Sequence, residues 1–563
     1  MRREVSVVNK KVCSFPILFA LLALLIGTCA VVFPASAQAA PTSTGSITVS
    51  GTVASSYDAY QIFSANVVDG DSDAKIATDL AWASDAVRDA ALPVLHSAGM
   101  SKSQTTAQEA AEWLNADSHL TSALSAQLAR SLQSSGAVFK ALNAGTTAEL
   151  PCGYWLIVAD DDAIAEGEAG TAPIMTLVGG SAVTVKPKAA TPKVQKHVLE
   201  DSTAAWQKAA DATVADDLYW RLSATVPAGL TAYDTYTVQF VDTMSAGLDL
   251  SKVAASMRVY VAAGADGGFD AVSAGKDGRA GTEPAKGWTD ITAQCATKVA
   301  ADGKTFTVRT GDLIAALGGA DAFAAGARVV AVYNAPLNSA CNHGIAKGNP
   351  NEVYLRYPRS PFADQSGDAG FTRTPSDDAC AYTWDLALIK RGSDGDKPLA
   401  GAVLSIADDR GRTLAADGTW DAEGKATVAT GEDGRVTVSG VDSGKLEVRE
   451  LKAPKGYTAF EGTRSVTVKA EGLDVKQVAA AKPKLTVTAE SPLRADSADG
   501  STGSLEASLI NTPAGTPPSI FTGGFMPSTG DMAMYAVAAA AVAGAALIVV
   551  ALSIKRGGGS HKE

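Results

Sequence analysis

Lys390, Glu450 and Asn511 lie in the first, an inner and the last strand-like run between Tyr382 and Asn511. Lys390 closes Trp384-Asp385-Leu386-Ala387-Leu388-Ile389-Lys390, where two-residue alternation sets it on the face of Leu386 and Leu388. Glu450 ends Leu446-Glu447-Val448-Arg449-Glu450, on the face of Leu446 and Val448. Burial favours neutral forms, lowering an amine's pKa and raising a carboxyl's. A neutral amine can attack a carboxamide carbon while a protonated carboxyl polarises the carbonyl and shuttles the proton. Ammonia leaves, and the first and last strands become covalently joined. The plain alternative is a solvated edge lysine and an ordinary hairpin glutamate.

The order lysine, acid, asparagine occurs a second time. Lys196 in Val194-Gln195-Lys196-His197-Val198 is level with Val194 and Val198, and Asp242 follows Phe240 at strand spacing. Asn351 leads Val353, Leu355 and Tyr357 in strict alternation, with Asn349 as its competitor. The segment Gly45–Val185 shows no such trio.

These residues need elements to hold them. A chain of 563 residues, 46% hydrophobic, exceeds one core and implies three or four domains. Residues 40–188 read as an α+β domain. It opens with strand patterns at Ser46–Val49 and Tyr57–Phe63 and has a capping box at Thr106 and Glu109. A helical stripe of Leu120, Leu124, Leu128 and Leu132 follows. Residues 189–378 and 379–512 hold many short alternating strands with Gly-rich turns and read as β-sandwiches. Proline-rich residues 513–525 are a stiff linker. The fold class is therefore mainly β, with tandem Ig-like or Cna-type sandwiches after an α+β domain.

Both ends read as addresses. Residues 1–39 have a basic start, an apolar run from Phe15 to Phe33 and Ala-x-Ala sites at Ala35–Ala39, a secretory signal peptide. An uncleaved anchor is the alternative. Cleavage leaves Cys152, Cys295, Cys341 and Cys380, and proximity in a loop-rich stretch selects Cys341 and Cys380 as a disulfide pair. At the other end, the uncharged run Met532–Ile554 is long enough to span a bilayer as a transmembrane helix, and Lys555 and Arg556 follow it. Net charge is -12 although both ends are basic, which excludes a nucleic-acid binder. No phosphate loop, nucleophile elbow or metal-ligand spacing is present in the sequence, so no cofactor is expected. The acidic run Asp69–Asp73 lacks the glycine and twelfth-position acid of a calcium loop.

Met526-Pro527-Ser528-Thr529-Gly530, directly before the span, resembles the cell-wall sorting signal of Gram-positive surface proteins, with Met526 in place of leucine. The resemblance implies that a sortase cysteine attacks the Thr529 carbonyl, releases Gly530 onward and passes the acyl group to an amine. Glu450-Leu451-Lys452-Ala453-Pro454-Lys455-Gly456-Tyr457 resembles the E-x-x-A-P-x-G-Y signature of Cna-B-type domains. That implies an isopeptide bond between Lys390 and Asn511 promoted by Glu450, with Lys196, Asp242 and Asn351 as a looser counterpart. Val183-Thr184-Val185-Lys186-Pro187-Lys188 resembles the core of the pilin motif, although Gly179 and Lys186 stand where tryptophan and tyrosine are usual. It implies Lys188 as acceptor for Thr529 of the next subunit, with Lys186 and Lys193 as alternatives.

In coverage as well as motifs the chain is similar to SpaA-type major pilins of Gram-positive bacteria. The resemblance implies a structural, non-enzymatic subunit of a cell-wall-anchored fibre supporting adhesion. Its partners would be a class C pilus sortase, further copies of itself, accessory pilins, peptidoglycan and a host receptor. The rival readings are a wall-anchored adhesin or minor pilin that does not polymerise, and a secreted wall enzyme on a sandwich stalk.

Overall fold

The computed structural model describes residues 43–70, 74–116, 118–187, 191–264, 269 and 284–515. The signal peptide, the sorting motif Met526–Gly530 with Thr529, the expected span 532–554 and Lys188 lie outside the described residues. Among the described residues no helix is long and apolar enough to cross a membrane.

In the N-terminal region, strand Thr44–Val49 pairs antiparallel with Thr147–Pro151 and parallel with Val183–Val185. A second sheet orders Lys75–Trp82, Ser56–Asp69, Gly153–Ala159 and Ile174–Val178. Helices Asp85–Ser97, Ala107–Asn115 and Ser122–Ser135 share an apolar core with that sheet. Thr106 and Glu109 form the expected capping box. The leucine stripe begins one turn later than its spacing suggests. Thr121 caps the third helix, so Leu120 precedes it and is exposed, while Leu124, Leu128 and Leu132 are buried.

The next region is a sandwich. Its six-stranded sheet runs Ala205–Gln207, Lys193–Glu200, Tyr219–Val226, Ala327–Asn334, Arg258–Ala263, Thr289–Asp290. The facing sheet orders Ala209–Asp211, Asp377–Tyr382, Asn349–Pro358, Gln239–Met244, Thr305–Arg309 and Ala296–Val299, with Phe371–Arg373 beside Asn349–Pro358. Trp220, Phe240, Phe306, Tyr333 and Tyr357 fill the space between them. Strand Asp377–Tyr382 belongs to this sheet, so the junction falls at Thr383 and not between residues 378 and 379. Cys380 on that strand turns its side chain toward the third core, which made the boundary hard to place from apolar pattern alone.

The third region packs Arg435–Val441, Trp384–Gly392, Ser504–Pro513 and Tyr457–Thr458 against a sheet built on Val403–Ala407, Gly444–Lys452, Thr463–Glu471 and Lys484–Ala489. Its first and last strands are parallel neighbours, with Lys390 opposite Leu509 and Gly392 opposite Asn511. Trp384 ties it to the middle region by donating Nε1–H to Asp211 Oδ2 at 2.6 Å.

Candidate functional site

Lys390, Glu450 and Asn511 meet in the third core. The parallel register places Asn511 two residues beyond the position opposite Lys390, within reach of an extended lysine side chain. Gly434 lets a hairpin turn close on this strand: its φ is +71°, and a Cβ there would come within 2.8 Å of the Lys390 carbonyl. The turn Ala453–Tyr457 needs Gly456 at φ +85° and returns the chain so that Thr458 pairs with Thr512, beside Asn511. The signature string therefore builds the roof of the site.

Lys390 Nζ donates to Asn511 Oδ1 at 2.5 Å and lies 3.1 Å from Glu450 Oε1. Asn511 Nδ2 donates to the same Oε1 at 2.9 Å, and the Phe460 N–H donates to Oε2 at 3.0 Å. All three residues are buried, and the Phe460 ring lies 5.3 Å from the amine. Burial pushes the Lys390 amine below the usual lysine range, against the pull of Glu450. The reacting groups are in contact, and one carboxylate oxygen touches both nitrogens.

The middle cluster spans both sheets. Lys196 comes from Lys193–Glu200, and Asp242 and Asn351 come from paired strands of the facing sheet. Pairing of Asp242 with Val353 and of Met244 with Asn351 sets the acid and the amide on one face, diagonally adjacent. Lys196 Nζ contacts Asp242 Oδ2 and donates to Tyr333 Oη at 2.9 Å. Tyr333 Oη donates to Asp242 Oδ2 at 3.1 Å and accepts from Asn351 Nδ2 at 2.8 Å. Lys196, Asp242 and Asn351 are 0% exposed, and the burial of Lys390 and Glu450 in the other cluster excludes the solvated reading of that pair.

Burial lowers the Lys196 amine to about 8 although Asp242 opposes it, and burial raises the Asp242 carboxyl although Lys196 opposes it. Asp242 Oδ1 and Asn351 Oδ1 are buried acceptors without a donor. A proton on the carboxyl would turn Asp242 Oδ1 from an unpaired acceptor into a donor.

Asn349 does not join this cluster. Its Nδ2 donates to the Asn342 and Ala381 carbonyls, and its Oδ1 accepts the Asn342 N–H at 2.9 Å. The sequence reading missed Tyr333, Phe460 and Trp220, whose ring lies 5.5 Å from Lys196 Nζ. Tyr333 was findable, because Val329, Ala331 and Tyr333 alternate onto the core face of the sheet that carries Lys196.

Cys341 and Cys380 do not form the expected disulfide: all four described cysteines are free. Nearness in sequence misled here, because the two side chains serve different cores. Cys341 packs against the middle core, and Cys380 is buried in the C-terminal one. Lys186 and Lys193 are exposed, on either side of the undescribed Lys188. Gly179, at the tryptophan position of the pilin motif, has φ +132°, and a Cβ there would lie 2.6 Å from Val67 and 2.8 Å from Cys152 Sγ. No larger side chain fits at that position. Asp69 receives the Ser181 N–H and the Lys75 amine, which makes it a fastener of this edge.

Residues 385–482 match the SpaA prealbumin-like fold domain family, a span that holds Lys390 and Glu450 and stops before Asn511. The trypsin-resistant surface T6 protein of Streptococcus pyogenes serotype M6 is 29% identical over 143 residues, 24% of this chain and 24% of that protein. The chain thus matches about a quarter of that relative's length. Among solved structures, the T6 backbone pilin of serotype M6 Streptococcus pyogenes aligns over 85% of this chain and 100% of its own, at 16% identity and a TM-score of 0.46. The full-length major pilin SpaD from Corynebacterium diphtheriae aligns over the same shares, at 15% identity and a TM-score of 0.41. By these matches, residues 385–482 are similar to the SpaA prealbumin-like fold domain and a quarter of the chain is similar in sequence to a streptococcal surface protein.

Proposed function

We propose that this chain is the repeating backbone subunit of a covalent surface pilus, a structural protein and not an enzyme. A sortase would cleave after Thr529 and join its acyl group to Lys188 of the next copy, with the assembled fibre attached to peptidoglycan and supporting adhesion. The observation that carries the reading is the pair of buried lysine–acid–asparagine clusters, one in each sandwich. A single-file polymer under load needs domains that do not unzip, and hydrogen bonds worth a net ~1 kcal/mol each do not supply that. In each cluster the acid takes the lysine's proton, the amine attacks the asparagine Cγ, and ammonia departs with the amide nitrogen.

The test has two parts. Intact mass of the chain should fall by about 17 Da, one ammonia, for each internal bond formed. Cell-wall extracts should show a ladder of high-mass species that Lys188→Ala removes. A ladder that persists in the variant refutes the acceptor assignment. Absence of any ladder in the wild type favours the second reading, a wall-anchored adhesin that stays single. The glycine at 179 is the observation on that side, since it replaces the motif's tryptophan with a position closed to side chains.

A further inference from the structure

The two clusters use acids of different length, and a fourth side chain makes up the difference in the middle domain. In the C-terminal cluster, Glu450 Oε1 alone contacts Lys390 Nζ and Asn511 Nδ2, the two nitrogens between which a proton must pass. Asp242 is one methylene shorter. Its Oδ2 takes Lys196, while Asn351 Nδ2 donates to the Tyr333 hydroxyl at 2.8 Å. That hydroxyl also accepts from Lys196 Nζ at 2.9 Å and donates to Asp242 at 3.1 Å, so it touches both reacting nitrogens and the acid.

We propose that Tyr333 is a catalytic residue of the middle-domain bond, its hydroxyl relaying a proton from Asp242 to the departing nitrogen of Asn351. The inference rests on reading this cluster as a bond-forming site. The Lys196 ammonium first gives a proton to the Asp242 carboxylate. The neutral amine attacks Asn351 Cγ and forms the Nζ–Cγ bond. Tyr333 passes its proton to Nδ2 and regains one from Asp242. The Cγ–Nδ2 bond then breaks, ammonia leaves, and the Asp242 carboxylate takes the surplus proton from Nζ. Protons and charge balance, with a neutral amide, ammonia, phenol and carboxylic acid at the end. Tyr333 is fully buried, and burial beside Asp242 holds its phenol protonated far above the ordinary tyrosine range, as a donor must be.

The experiment follows bond formation over time in the full chain made by cell-free translation. Peptide mapping separates the Lys196–Asn351 link from the Lys390–Asn511 link. Tyr333→Phe should slow the first link on the order of 100-fold, the usual worth of a positioned acid–base group. The second link should keep its rate. Adding Asp242→Glu to Tyr333→Phe should restore the first link, because the longer acid reaches the amide as Glu450 does. If the wild type forms the first link and Tyr333→Phe forms it equally fast, the relay is wrong and the bond-forming reading stands. If the wild type folds, by trypsin resistance, and never forms the link, that underlying reading fails. Should Tyr333→Phe not fold, translation with 3-fluorotyrosine keeps the ring and makes the phenol more acidic. It should then shift the pH profile of the first link and leave the second in place, and unshifted profiles overturn the proposal.

Discussion

Glu450→Gln is the most informative single change outside the middle domain. It keeps the shape of the C-terminal cluster but removes the group that takes the lysine's proton, so the proposed Lys390–Asn511 bond should not form. That bond would close a loop of 121 residues, and cross-linking a loop that long removes about 5 kcal/mol of denatured-state entropy. Unfolding entropy near 2.1 cal/mol/K per residue, over the roughly 130 residues of this domain, converts the loss to about 18 °C in midpoint temperature. The variant also leaves a buried lysine beside a neutral amide, which lowers stability further. Calorimetry of wild type and variant, each with its intact mass, tests the estimate. The variant should be about 17 Da heavier per unmade bond, apart from the Glu-to-Gln change, and its C-terminal transition should fall by roughly 15–20 °C.

Mechanical unfolding gives a second readout of the same variant. With the bond absent, the freed 121 residues should add about 400–440 Å of contour length in single-molecule pulling. A variant that lacks the bond by mass yet melts within a few degrees of wild type, or adds no length, would refute the argument that the cross-link shields this domain.

Asn351→Ala leaves Lys196 titratable near pH 8 against 10.5 for an ordinary lysine, so between those values the unfolded chain holds more protons. Middle-domain stability in the variant should rise with pH across that window, by up to ~1.4 kcal/mol per unit, and chemical denaturation should find no such rise in a wild type whose Lys196 is an amide. Alkylation of the unreduced, denatured chain should modify Cys152, Cys295, Cys341 and Cys380, all four of which are free thiols, and a protected pair would restore a disulfide.

Local pattern carried the core faces. Lys196, Lys390, Asp242, Glu450 and Asn351 are all buried, on the faces that a strand's two-residue period assigns once its neighbours are apolar. The parallel pairing of Trp384–Gly392 with Ser504–Pro513 was not legible, since it joins residues over a hundred positions apart and depends on the whole sheet order. The choice between Asn349 and Asn351 also needed coordinates: both alternate inward, and only the loop at Asn342 decides which amide is already satisfied. Tyr333 went unnoticed because a tyrosine at a core position reads as packing until its hydroxyl partners are known.

The proposed bonds divide the chain by what tension can reach. Residues between Lys196 and Asn351, and between Lys390 and Asn511, would lie inside covalent clamps. The 38 residues from 352 to 389 would lie outside both, with a fully extended length of roughly 130 Å. Their resistance depends on fastenings to clamped residues. Strand Asp377–Tyr382 pairs in parallel with Ala209–Asp211, and Trp384 bonds Asp211. Asp377 is the densest of these fastenings, because its Oδ2 accepts the Lys196 N–H at 2.6 Å and contacts Lys208 Nζ. Lys208 in turn donates to the Lys196 carbonyl at 2.8 Å, so the load-bearing lysine and the unclamped strand share one partly buried charge pair. Asp377→Ala removes the strand's hold and leaves the Lys208 charge in a largely buried position. The change should lower the force at which this segment extends while leaving the length of that step and both bond masses as they were. A step of unchanged force would mean that the backbone ladder alone fastens this strand, and that the charge pair serves only the fold.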